Sequence, residues 1–130
     1  MKPTGGLDRW LWVLALPVSL IWLAMEESSR LGAMAVALPW AILTARHAHR
    51  RYLPQPEAAG LVAATTLGGA LVGPLAVVLM SMKIALHAHP LPDFQVDDAL
   101  AVLQWTPIGA GVGFLLGIGA LLARGGGPQR

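Results

Sequence analysis

The chain has 130 residues, of which 55% are hydrophobic and 12% charged, with a mean hydropathy of +0.61. Soluble domains carry about 25% charged residues, so this composition argues against an ordinary soluble domain. Cysteine is absent, which excludes a disulfide framework and thiol chemistry.

The charges are segregated. Asp, Glu, Lys and Arg are missing from Trp10–Met25, Leu31–Ala45, Ala58–Met82 and Ala99–Ala123, stretches of 16, 15, 25 and 25 residues. A spanning helix needs about 20 apolar residues, so the last two stretches suffice alone. The first two reach the required length when flanking residues extend them and Arg9, Arg30 and Arg46 snorkel to the interface. The pattern predicts an all-α integral membrane protein, a single domain of four transmembrane helices. The alternative for residues 7–46 is a re-entrant or interfacial hairpin.

In chain order, the first helix is expected over residues 7–26, with Pro17 in its middle. It follows Lys2 and Arg9 as a signal peptide would. Acidic residues and a second apolar stretch come directly after it, so a retained helix is expected. The turn Glu26-Glu27-Ser28-Ser29-Arg30 offers a serine cap for the second helix and a Glu26–Arg30 pair. That second helix is expected over 29–49, with Pro39 inside. Pro54 and Pro56 make residues 50–57 an extended connection. The third helix is expected over 58–87, with Pro74 inside and Pro90 and Pro92 beyond it. Asp97 or Asp98 is a natural N-cap for a fourth helix over 98–123, which contains Pro107. Residues 124–130 read as a flexible tail. Interior prolines predict kinks in all four helices.

Loop charge predicts orientation. Lys2, Arg9, Arg46, Arg50, Arg51, Arg124 and Arg130 fall on the side of the two termini and the middle loop, while only Arg30 and Lys83 fall opposite. Basic residues resist translocation, so both termini are expected in the cytoplasm of a bacterial-type inner membrane. The pI near 9.7 then reflects topology and not a nucleic-acid partner. Arg46, Arg50 and Arg51 are candidate contacts for anionic lipid headgroups.

Small residues supply the strongest local pattern. Gly109, Gly113 and Gly117 recur every four residues, and Gly60, Ala64 and Gly68, with Gly69 and Gly73, make matching rows on the third helix. In lipid, close backbone approach across small residues replaces hydrophobic burial as the packing force. The third and fourth helices are therefore expected to pack together as a glycine zipper, within one chain or across a homodimer. Thr65, Thr66, Gln104 and Thr106 are candidates for hydrogen bonds between helices.

Reactive side chains gather at the outer end. His87, His89, Met80 and Met82 are weak candidates for a metal site, because imidazole and thioether ligands suit copper. Lys83 opposes a cation there, and a solvated polar loop is the simpler expectation. No ionisable residue interrupts the four stretches, as coupled transport usually requires. The sequence requires no cofactor. These features predict a small non-catalytic subunit, or an assembly or stabilising factor, of a larger membrane complex. A homodimeric transporter or channel is the alternative. A metal-handling protein or enzyme using His87 and His89 is a second one.

Overall fold

The computed structural model describes residues 6–25, 28–52, 57–87 and 94–125. The acidic Glu26-Glu27 pair, Pro54, Pro56, His89, Pro90, Pro92 and residues 126–130 lie outside that set. The described residues are helical almost throughout: α1 (Gly6–Ala24), α2 (Arg30–Tyr52), α3 (Glu57–His87), α4 (Val96–Leu103) and α5 (Thr106–Gly125).

The fourth apolar segment is thus two helices. Its break falls at Gln104–Trp105, directly before Pro107. Proline has no N–H and its ring crowds the preceding turn, and here the Trp105 amide bonds the Val102 carbonyl in a tightened turn. Through Pro17, Pro39 and Pro74, by contrast, α1, α2 and α3 run unbroken. The start of α4 is set at Gln95 and not by an aspartate N-cap. Asp98 instead reaches back one turn, and its Oδ2 accepts the Gln95 amide at 2.8 Å. Ser29 does cap α2, where its Oγ accepts the Gly32 amide at 3.0 Å.

Successive segments run antiparallel. Trp22, Lys83 and Phe94 meet at one end of the bundle, and His49 meets Gly60 at the other. α3 is central, flanked by α2 and α5, while α1 rests mainly on α2. Two segments, Ala58–His87 and Val96–Arg124, are long and apolar enough to cross a membrane. Only 17% and 11% of their most apolar windows is buried, unlike the core helix of a soluble protein.

Most large apolar residues lie on the outside. Alanine is the commonest residue of the buried core, which also holds Trp22, Leu43, Met80 and Phe94, and Ala33, Ala37, Ala41 and Ala45 form one row along α2 that is almost completely covered. Large apolar residues such as Leu31, Leu86, Leu115 and Leu122 point outward and are more than 60% exposed. Small residues admit a neighbouring backbone, and at Gly69, Gly109 and Gly113 backbone lies directly against backbone.

Candidate helix-docking groove and basic hollow

The closest helix pair is α3 with α5. A Cβ added at Gly69 would strike the Gly109 carbonyl, and one at Gly109 would strike the Gly69 carbonyl. A Cβ at Gly113 would strike the backbone of Thr65, and one at Gly117 would stand 2.5 Å from Thr65 Oγ1 and 2.8 Å from Val62 Cα. At Gly73 the obstruction is Thr106 Oγ1, at 2.5 Å. Gly60 and Gly68 face the other way, toward His49 and Ala45 of α2. Gly111 and Gly119 have open space in front of them. The small residues of α3 therefore serve two neighbours. The alanine row of α2 completes the arrangement, and its strict four-residue spacing was the signal for it.

The threonines act within their own helix. Thr65 Oγ1 donates to the carbonyls of Leu61 and Val62, at 3.0 Å each, and Thr66 Oγ1 donates to Val62 at 2.7 Å. Such back-bonding satisfies a hydroxyl without a partner helix. Gln104 is exposed, and Thr106 Oγ1 is buried without a hydrogen-bond partner.

Because α3 is set back between its neighbours, α2 and α5 become the banks of a groove of about 860 Å³. Met34, Leu38 and Ile42 form one bank, and Ile108, Val112 and Leu116 form the other. Small residues of α3, among them Gly60, Ala64 and Gly68, lie along its floor. Along α2 the lining runs from Met34 to Arg50, about 24 Å at 1.5 Å per residue. The hydrocarbon core of a bilayer is about 30 Å thick. One end of the groove is strongly basic, with Arg46, His49 and Arg50 from α2 and Arg124 from α5. His49 lays its imidazole against Gly60, and its Nδ1 is buried without a hydrogen-bond partner.

A second hollow, of about 610 Å³, lies between α1 and α2 at the same end. Arg9, Trp12, Trp40, Arg46, His47 and Arg50 line it. Trp12 meets Trp40 edge to face, with centroids 5.1 Å apart. Trp40 Nε1–H donates to Ser19 Oγ at 2.8 Å, and Ser19 in turn donates to the Ala15 carbonyl at 2.6 Å. The structure thus joins Arg46 and Arg50 to Arg9, which sequence spacing could not do. Arg51 is exposed and lines neither hollow.

At the opposite end, where a solvated polar loop is expected, residues 88–93 lie outside the described residues. Lys83 is completely buried. Its Nζ donates to the Trp22 carbonyl at 3.1 Å and sits 4.3 Å from the centre of the Trp22 ring. Phe94 stacks on Trp22, with ring centroids 6.2 Å apart. A cation at the last carbonyls of α1 answers the negative end of the helix dipole. Arg30 bonds Asp98 at 2.6 Å and ties α2 to α4; Glu26, its expected partner, is outside the described residues. Met80 is buried while Met82 is half exposed, so two of the suggested metal ligands face apart. Among the described residues, no three His, Cys, Asp or Glu side chains are placed to hold a metal.

Comparison with known protein families, with curated proteins and with solved structures finds no match.

Proposed function

We propose that this chain is a small, non-catalytic membrane subunit or assembly factor that receives one transmembrane helix of a larger partner in the groove between α2 and α5. In this reading all four helical segments cross a bacterial-type inner membrane and both termini are cytoplasmic. The exposure of most large apolar side chains supports a lipid surround, because such a surface is disfavoured in water. The seven-to-two division of basic residues between the ends supports the orientation.

The groove is the observation that carries the functional reading. Its length suits the hydrocarbon core, its banks are apolar, and its floor is made of small residues over which a partner backbone can approach closely. Arg46, Arg50 and Arg124 at its mouth complement acidic residues flanking such a helix.

A photo-crosslinking residue placed at Ile108 or Val112 tests the reading in intact membranes. The expected product joins this chain to one larger membrane protein, and the same residue at outward-facing Leu115 does not form it. A product containing only two copies of this chain would replace the reading with a homodimer, as the transporter or channel alternative requires. Crosslinks to lipid alone would overturn both.

A further inference from the structure

We infer that the hollow between α1 and α2 is a headgroup site for an anionic glycerophospholipid, with Arg9, Arg46 and Arg50 addressing the phosphate and the Trp12–Trp40 pair seating the glycerol and upper acyl region. The inference rests on the membrane reading above, but not on any partner helix.

Three features of the hollow point to this ligand. First, its described lining residues include three arginines and His47. Guanidinium groups match phosphate oxygens in pairs, through parallel N–H donors that an ammonium cannot present. Second, charge and aromatic rings are layered in depth. On α1, Arg9 stands one turn before Trp12, and on α2, Trp40 stands two to three turns before Arg46, His47 and Arg50. Both helices therefore put arginine toward the end of the bundle and tryptophan nearer its middle. A phospholipid has the same order, with phosphate outermost and the apolar boundary beneath it. Third, the aromatic floor is held in place. Trp40 is fixed by its bond to Ser19 and by its edge contact with Trp12, so little ordering is left for binding to supply. The tryptophans, which also join α1 to α2, offer an apolar surface that a soluble anion would not use. Basic pockets between membrane helices on the cytoplasmic side are suited to acidic headgroups.

The test uses the full chain in nanodiscs of phosphatidylcholine, alone or mixed with phosphatidylglycerol, and counts retained lipid by native mass spectrometry after gentle removal from the disc. The wild type is expected to retain phosphatidylglycerol in preference to phosphatidylcholine. Each of Arg9→Gln, Arg46→Gln and Arg50→Gln should lower that preference by a factor of about five, and Arg124→Gln, outside the hollow, should leave it intact. Arg9→Gln is the decisive variant, because Arg9 does not line the neighbouring groove and the change leaves that groove whole. Trp12→Ala, with helicity checked by circular dichroism, should also lower it. Equal retention by wild type and Arg9→Gln would overturn the site, and so would an equal loss in Arg124→Gln. Displacement by soluble glycerol phosphate as effective as by the lipid would reassign the hollow to a free anion. Release of the chain from membranes by alkaline carbonate would overturn this site together with the membrane reading. A chain that stays embedded without a lipid preference would overturn this site alone.

Discussion

α5 and α1 are both held by the centre of the bundle, but by different physics. α5 lies so close to α3 that Gly69 and Gly109 present their carbonyls where the other's Cβ would be. That contact uses no side-chain hydrogen bond and tolerates no added atom. α1 is attached through particular side chains: Ser19 and Trp12 to Trp40, and the Trp22 carbonyl to Lys83. Most of its large residues, among them Trp10, Leu14 and Ile21, are exposed. One interface depends on the absence of side chains, and the other on the presence of a few.

The largest effect should come from restoring bulk at the first interface. Gly69→Leu or Gly109→Leu must push the two backbones apart, and loss of the compact fold in detergent is expected. Even Gly69→Ala should cost roughly 1–3 kcal/mol, the usual range for overpacking. Gly111→Ala and Gly119→Ala, which meet open space, should be neutral or slightly stabilising. Thermal melts followed by circular dichroism in one detergent would rank these changes. Similar losses at all four positions would show that backbone proximity is not what holds α5.

A smaller loss is expected from the second interface. Lys83→Met keeps volume at the buried site but removes the charged donor to the Trp22 carbonyl, at a cost of about 2 kcal/mol. The loss should localise to α1, read as faster amide exchange in residues 21–25. Uniform exchange across the bundle would place Lys83 in the general core instead. The smallest change should follow Ser19→Ala, which removes the acceptor for Trp40 and costs about 1 kcal/mol. Tryptophan fluorescence would shift as the Trp40 indole loses its partner, and an unchanged spectrum would separate that bond from the seating of α1.

Much of this division was legible in the residues. The charge-free stretches mark the helical segments, because the charged residues gather near the helix ends. The break before α5 was not legible, since Pro107 is one of four interior prolines, each expected to kink its helix, and only there does the chain divide into two helices. The glycine spacing marked the faces of α3 and α5, but spacing names a face and not the neighbour that fills it. Gly60 and Gly68 turn toward α2, for example, where His49 meets the first and Ala45 the second. Lys83 was less legible. A lysine after an apolar run resembles an ordinary end-of-helix charge, and only tertiary structure brings it to Trp22. The basic hollow is a similar case, since Arg9 and Arg50 belong to different helices and neither spacing relates them.

The bond from Lys83 to Trp22 spans 61 residues, and that separation sets an order of events during synthesis. At roughly 5–20 residues per second, the end of α1 is made some 3–12 s before its lysine. Until then α1 is held to α2 alone, through Trp12, Ser19 and Trp40. A chain truncated before residue 83 would keep those contacts and lack the Lys83 bond that joins α1 to α3.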